Sequence, residues 1–274
     1  MPTPRQPSGE EVLRPTVADL VYASKSPAEK LDLYLPNAVD TPSPLVIWIH
    51  GGGFRLGDKR SIRSRVRPAP RLLGRDGPYQ IQKPDVVALI SKGYAVAAIN
   101  YRLGPSMGLA AAAAIQDGKA AVRFLRANAS TYHIDPDRFA AWGDSAGGYM
   151  AAVLGVTGDQ RSIFDAPTLG NASTSSEVQA VVVWFGAEDR LQGPELSISY
   201  YLPASSTLPA FMIANGDADP IISAEQARRL HEALLNAGAS STLTILPGAG
   251  HEDPAFMSTQ MLPTFRFLDH TFGR

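Results

Sequence analysis

The serine at position 145 lies in a Gly-x-Ser-x-Gly pattern, within the sequence Gly-Asp-Ser-Ala-Gly-Gly at residues 143–148. An apolar run precedes it at residues 138–142, and an Ala- and Met-rich run follows it at residues 146–156. This order predicts a strand, a sharp turn and a helix, with Ser145 at the turn. The turn strains the serine backbone and directs the unpaired N–H groups of the helix toward developing negative charge. The pattern therefore indicates a nucleophilic serine.

A serine hydroxyl needs a base that removes its proton as it attacks. Histidine suits this role because its unperturbed pKa is about 6.5. Among the five histidines of the chain, His251 follows the last predicted strand behind a flexible Gly-Ala-Gly sequence. We predict that His251 is the base. The other four lie in a glycine-rich loop, beside a turn or on predicted helices: His50, His133, His231 and His270.

The base in turn needs a carboxylate that fixes its tautomer and stabilises the imidazolium. Asp219 follows a predicted strand at residues 209–215, in the sequence Gly-Asp-Ala-Asp-Pro. We predict Asp219 as this acid. Asp217 is the nearest alternative, although it also suits a turn residue that binds backbone groups. Glu188 and Asp189 are more distant alternatives.

Three successive glycines follow the buried apolar run at residues 45–49, in the sequence His-Gly-Gly-Gly-Phe at residues 50–54. Glycines adopt backbone angles that other residues avoid, so their N–H groups can turn toward a ligand. We predict an oxyanion hole formed by the N–H groups of Gly52, Gly53 and Ala146. The predicted chemistry is acyl transfer from an ester, and it requires no metal and no organic cofactor.

These side chains require a scaffold of alternating strands and helices. Strands are predicted at residues 17–22, 30–35, 45–49, 94–99, 138–142, 178–185, 209–215 and 242–246, and helices at 84–92, 110–129, 146–156, 223–236 and 263–271. The alternation predicts an α/β fold with a mainly parallel, doubly wound sheet of about eight strands. In such sheets, ligands bind at the carboxyl ends of the strands, where the candidate residues lie.

Several local features add detail to this scaffold. Leu31, Leu33 and Leu35 alternate with Asp32 and Tyr34, which predicts a half-buried strand. Residues 135–137 (Asp-Pro-Asp) predict a turn before the serine strand. On the helix at 223–236, Ser223 and Gln226 suggest a capping box, and the predicted buried stripe consists of Ala227, Leu230, Leu234 and Ala237.

Composition limits the function classes. The formal net charge of −1 gives no reason to expect nucleic acid as a partner. The chain contains no cysteine, which excludes disulfides and a thiol nucleophile. No apolar run reaches membrane-spanning length, and the Pro-rich residues 1–15 suggest a loose arm in which no signal peptide is visible. We expect one domain over residues 1–274, an ester substrate that is free or linked to polysaccharide, and no particular oligomeric state or compartment.

Two connections are notable for their length or composition. Residues 55–83 are strongly basic, which is typical of a solvated surface and alternatively suits a rim that attracts anionic substrates. Residues 186–209 lie where many hydrolases of this architecture insert a lid. This segment is short for a lid domain, so we expect a short or absent lid.

The chain resembles the α/β-hydrolases, and its His-Gly-Gly-Gly-Phe and Gly-Asp-Ser-Ala-Gly-Gly motifs resemble those of hormone-sensitive-lipase-like esterases. It is more closely similar to the carbohydrate-esterase-like group of bifunctional feruloyl and acetylxylan esterases, on the sequences at residues 31–36, 100–103, 116–117 and 125–138. The resemblance implies a serine carboxylesterase that acts on acetyl or feruloyl esters. The long basic segment and the Ala-rich residues 110–114 depart from the group and could reshape the pocket mouth.

Two other functions are compatible with the same residues. An amidase, formamidase or peptidase would use the same three side chains. Some proteins that resemble this fold are non-enzymatic ligand receptors, but those usually lack the histidine that is present here as His251.

Overall fold

The computed structural model describes residues 13–37, 40–63, 67–68, 78–79, 84–186, 193–202 and 207–274. Its strands are β1 (Val17–Val21), β2 (Lys30–Tyr34), β3 (Ser43–Ile49), β4 (Arg67–Pro68), β5 (Pro78–Tyr79), β6 (Ala95–Ile99), β7 (Ile134–Asp144), β8 (Ala180–Trp184), β9 (Ala210–Gly216) and β10 (Ser241–Leu246). Its α-helices are α1 (Val86–Ser91), α2 (Met107–Ala127), α3 (Ala146–Thr157), α4 (Ala224–Asn236) and α5 (Met261–Thr271).

Eight of the strands form one sheet in the order β1-β2-β6-β3-β7-β8-β9-β10. The pairs β1–β2 and β2–β6 are antiparallel, and all pairs from β6 to β10 are parallel. The predicted mainly parallel sheet of about eight strands is confirmed. Among the described residues, β4 and β5 form a separate two-stranded antiparallel sheet.

Helices cover both faces of the sheet. One apolar layer joins residues of α2, α3 and α4 to the strand residues Leu45, Ile47 and Ile49. The other joins residues of α1 and α5 to Val46 and Trp48. Successive strand residues point to opposite faces, so a strand buried on both sides must be apolar throughout, as β3 is. The same reasoning explains the fully buried run Val181–Val183 of β8.

The structure corrects the predicted environment of β2. Asp32 and Tyr34 are fully buried, so β2 is not the half-buried strand that its alternation suggested. The alternation is misleading because Asp32 lies in a buried ion pair with Lys59, and Tyr34 packs in the second apolar layer. A polar residue in an alternating pattern can therefore face a buried partner as well as water.

Three other local predictions were wrong in part. Ser223 precedes α4, but its side chain makes no capping hydrogen bond, and Ala237 is exposed. Helix α5 begins at Met261, after a π-helical turn at Phe256–Gln260, earlier than predicted. Strand β7 begins at Ile134, and the predicted turn at 135–137 is an irregularity in its pairing with β3.

Some predictions fall outside the described residues. These are most of the N-terminal arm, most of the basic segment at 55–83, the alternative acids Glu188 and Asp189, and parts of the segment in the lid position.

Candidate active site

Ser145 connects the end of β7 to the start of α3. Its φ of 51° and ψ of −119° lie outside the regions that L-residues favour. Two backbone hydrogen bonds maintain this conformation: Ser145 N–H donates to Trp184 O at 3.0 Å, and Tyr149 N–H donates to Ser145 O at 3.0 Å. The strained backbone predicted for the serine turn is present, and it places the side chain at the carboxyl edge of the sheet.

Glycine is required on both sides of this serine because backbone atoms pass very close. A Cβ on Gly143 would lie 2.2 Å from the carbonyl oxygen of Gly147. A Cβ on Gly147 would lie 2.1 Å from Ile49 O, on the neighbouring strand β3. The two glycines of the motif therefore permit α3 to pack against β7 and β3 directly behind the serine.

The structure brings Ser145, His251 and Asp219 into one hydrogen-bonded chain. His251 Nε2 lies 2.9 Å from Ser145 Oγ, and His251 Nδ1 lies 2.7 Å from Asp219 Oδ2. The side chain of Asp219 is fully buried and that of His251 nearly so. The ring of Phe185 packs edge-on against the imidazole, with 4.9 Å between the centroids. This arrangement can transfer a proton from the hydroxyl to a ring whose other nitrogen faces a carboxylate.

Backbone N–H groups hold the carboxylate of Asp219 in place. Its Oδ1 accepts hydrogen bonds from Ile221 N–H at 2.8 Å and Ile222 N–H at 2.9 Å, which leaves Oδ2 for the imidazole. The alternative acid, Asp217, instead accepts a hydrogen bond from Gly248 N–H at 2.6 Å. Asp217 thus joins two loops of the site, as a turn residue would, and does not contact His251 in the described hydrogen bonds.

Two of the predicted oxyanion residues, Gly52 and Gly53, lie between β3 and a short helical turn at Lys59–Arg63. Gly52 and Gly53 have φ values of 112° and 62°. Gly52 O accepts hydrogen bonds from the N–H groups of Arg55 and Leu56 at 3.1 Å, which closes a tight turn. Within the described part of the chain, no group accepts a hydrogen bond from the N–H of Gly52 or Gly53. Ala146 is the first residue of α3, where helix N–H groups lack intrahelical partners.

His50 stabilises this loop and is buried away from solvent. Its ring stacks on Tyr101 with 4.4 Å between the centroids, and its Nδ1 lies 2.8 Å from Gly51 O. The Tyr101 hydroxyl donates to His50 O at 2.6 Å. Burial raises the pKa of Tyr101 well above its ordinary value, so the phenol remains a donor. At Gly57, with φ of 114°, a Cβ would lie only 2.1 Å from His50 Nδ1.

A buried lysine fixes the far end of the loop. Lys59 Nζ forms ion pairs with Asp32 and, at 2.7 Å, with Asp19. Lys59 N–H donates to Asn100 Oδ1 at 2.5 Å, and Asn100 Nδ2 donates to Asp58 at 3.0 Å. This role of Lys59 was not predicted from the sequence, because nothing in the local pattern separates it from the other basic residues at 55–83.

The remaining histidines lie elsewhere. His231 Nδ1 lies 2.8 Å from Ser241 Oγ, and His133 and His270 are exposed. In the described ranges, no group of three or more His, Asp or Glu side chains is arranged to hold a metal ion. None of the described helices combines the length and apolarity needed to cross a membrane.

Comparisons with known proteins identify the family. The BD-FAE family model matches residues 31–199, which is more than half of the chain. The chain belongs to the BD-FAE family. A second model, that of the dienelactone hydrolase family, matches residues 168–261 of this BD-FAE protein.

Solved structures of esterases share the fold of this chain. A truncated form of a carbohydrate esterase from gut microbiota has a TM-score of 0.73 and 26% identity, covering 97% of this chain and 99% of that one. Thermogutta terrifontis esterase 2, phosphonylated by cyclosarin, has a TM-score of 0.76 and 22% identity, covering 94% and 95% of the two chains. The fold of this BD-FAE protein is therefore the α/β-hydrolase fold of esterases, as the sequence motifs predicted.

The curated relatives are longer proteins than this chain. Esterase LipC of Mycobacterium tuberculosis is 28% identical over 259 residues, which cover 84% of this chain and 58% of LipC. Esterase LipQ of the same organism is 24% identical over 235 residues, which cover 76% of this chain and 50% of LipQ. The BD-FAE chain thus spans about half the length of the curated relatives that it matches.

Proposed function

We propose that this chain is a serine carboxylesterase that hydrolyses esters through an acyl-enzyme on Ser145. The observation that supports it most directly is the hydrogen-bonded chain from Ser145 Oγ through His251 to Asp219, with separations of 2.9 and 2.7 Å. Nucleophile, base and orienting acid within hydrogen-bonding distance are the geometric requirements of this chemistry.

The proposed reaction has two halves. Ser145 Oγ attacks the ester carbonyl carbon while His251 Nε2 takes the hydroxyl proton. The carbon–oxygen bond to the alcohol then breaks, and His251 returns that proton to the departing alkoxide. In the second half, His251 takes a proton from water, whose oxygen attacks the acyl-enzyme; the acid leaves and the proton returns to Ser145. Asp219 orients the imidazole and stabilises the imidazolium in both halves.

The N–H groups of Gly52, Gly53 and Ala146 are proposed to bind the oxyanion of both tetrahedral intermediates. Support comes from the positive φ values of the two glycines and from the position of Ala146 at the start of α3. Preorganised donors of this kind stabilise the transition state because they need no reorganisation as charge develops. Each donor contributes about 3–4 kcal/mol of transition-state stabilisation in comparable enzymes.

For the substrate, we propose short acyl or aromatic esters, of the acetyl and feruloyl type, on a carbohydrate or plant polysaccharide. Membership of the BD-FAE family and similarity to a carbohydrate esterase from gut microbiota favour this class.

A panel of substrates tests the proposal. Acetyl, butyryl and octanoyl p-nitrophenyl esters, methyl ferulate and acetylated xylan should be compared with anilides of the same acids. We expect turnover of the short or feruloyl esters and little turnover of the anilides. Faster hydrolysis of the anilides would favour an amidase instead.

The nucleophile is tested separately. Ser145→Ala should abolish turnover while the circular dichroism spectrum stays unchanged, and Ser91→Ala, at an exposed serine of α1, should have no effect. An organophosphonate should modify Ser145, as shown by peptide mass spectrometry. Modification of another residue would refute the assignment.

A further inference from the structure

The residue before the nucleophile is a buried carboxyl group that takes no part in the proposed proton transfers. Asp144 is the last residue of β7 and only 2% exposed. Its Oδ1 accepts a hydrogen bond from Gly51 N–H at 2.7 Å, across 93 residues of sequence. Gly51 directly precedes the two glycines whose N–H groups we assign to the oxyanion hole.

We propose that Asp144 is a positioning residue that fixes the glycine loop relative to the nucleophile, and thereby sets the distance between Ser145 and the oxyanion donors. This inference rests on the proposed function. In this role Asp144 does not touch the substrate. It acts through Gly51 on one side and, through the backbone, on Ser145 on the other.

The packing at Gly51 shows how close the two segments must be. A Cβ on Gly51 would lie 2.9 Å from Asp144 O and 3.1 Å from Ser145 Cβ. The loop therefore lies in van der Waals contact with the nucleophile backbone. The hydrogen bond from Gly51 N–H to Asp144 Oδ1 therefore sets the distance between the glycine loop and the end of β7. A displacement of about 1 Å at such a site can reduce the rate about 100-fold.

The other contacts of the loop act farther from the nucleophile. The Tyr101 hydroxyl donates a hydrogen bond to His50 O, and the ion pair of Lys59 with Asp32 fixes the opposite end of the loop. The described contacts give Asp144 the one side-chain hydrogen bond that joins the loop directly to the strand of the nucleophile. This distinguishes Asp144 from residues that only stabilise the loop.

The charge state of Asp144 provides a matched variant. Burial, together with the nearby charge of Glu252, raises the pKa of the Asp144 carboxyl well above its ordinary value. A neutral carboxyl has nearly the shape of an asparagine amide, whose oxygen can accept the same hydrogen bond. Asp144→Asn should therefore retain the contact with Gly51, whereas Asp144→Leu has a similar size and no acceptor.

The experiment compares kcat and KM of these two variants on p-nitrophenyl acetate, with active sites counted by organophosphonate titration. We expect Asp144→Leu to lower kcat per titrated site about 100-fold with KM changed less than about threefold, because an interaction made only in the transition state is weakened. Asp144→Asn should stay within about fivefold of the wild-type kcat, since it keeps the acceptor.

The outcomes separate this inference from the proposed function. If Asp144→Leu keeps the wild-type kcat and Ser145 is still labelled, the positioning role is refuted and the proposed function is not. Loss of kcat in Asp144→Asn equal to that of Asp144→Leu would also overturn it, because the charge and not the hydrogen bond would then matter. If Asp144→Leu does not fold, the kcat of Asp144→Asn and the exchange rate of the Gly51 amide in that variant, each compared with the wild type, test the positioning role. Activity in Ser145→Ala would instead refute the proposed function.

Discussion

Asp219 and His251 lie 32 residues apart in sequence, yet Asp219 Oδ2 is 2.7 Å from His251 Nδ1 in the folded chain. Because Oδ1 is occupied by two backbone N–H groups, the carboxylate has one orientation available to it. The imidazole is therefore held with Nε2 toward Ser145.

From this contact we predict that Asp219→Asn lowers kcat about 10⁴-fold, since an amide can stabilise the wrong imidazole tautomer. The fold should be unaffected because asparagine still accepts from Ile221 and Ile222. Steady-state kinetics on p-nitrophenyl acetate checks this, and Asp217→Asn is the matched control. A similar loss of kcat in both variants would show that Asp219 has no special role.

The glycines at the nucleophile predict a stability effect. Gly147→Ala should lower the free energy of unfolding by about 1–3 kcal/mol, because the new Cβ meets the carbonyl oxygens of Ile49 and His50, which are backbone atoms. Gly108→Ala in α2 has no atom within 4 Å of the new Cβ and should instead stabilise by about 0.5–1 kcal/mol. Urea denaturation measures both. Equal effects of the two substitutions would contradict the packing argument.

The buried ion pair of Lys59 predicts a strong destabilisation on removal of one partner. Lys59→Met leaves Asp32 buried without its cation and should cost about 3–5 kcal/mol. The double variant Lys59→Met/Asp32→Asn should recover most of this loss. For comparison, Lys92 pairs with Asp269 at 2.8 Å on the surface, and Lys92→Met should cost less than about 1 kcal/mol. Thermal unfolding of the four proteins tests the prediction, which fails if the double variant is no more stable than Lys59→Met.

Asp144 also predicts a dependence of stability on pH. Its pKa is raised in the folded protein, above an ordinary value of 3.8, by burial and by the charge of Glu252. The folded state keeps this proton over a pH range in which the unfolded chain has released it, so stability falls as pH rises from about 4 toward the folded pKa. Relative to Asp144→Asn, the wild type should lose up to about 1.4 kcal/mol per pH unit in this range. Urea titrations of both proteins at several pH values measure the difference. A constant difference would contradict a raised pKa.

The local structure around the nucleophile can be predicted from the sequence. The strand, turn and helix around Ser145 follow from residue types that are adjacent in the chain, whereas the need for glycine at position 147 comes from Ile49 on the neighbouring strand. The order of strands and helices likewise predicted the fold, because the periodicity of apolar residues depends on local geometry.

The choice between two candidate residues that are close in sequence required the folded structure. Asp217 and Asp219 are the same residue type and lie two positions apart in the sequence. The loop after β10 contacts both of them: Gly248 N–H donates to Asp217, and His251 Nδ1 contacts Asp219. The folded structure also shows that Asp32 is buried and that Asp144 accepts a hydrogen bond from Gly51 N–H. These contacts join segments brought together by the strand order of the sheet, and a local pattern contains no information about a partner 27 or 93 residues away.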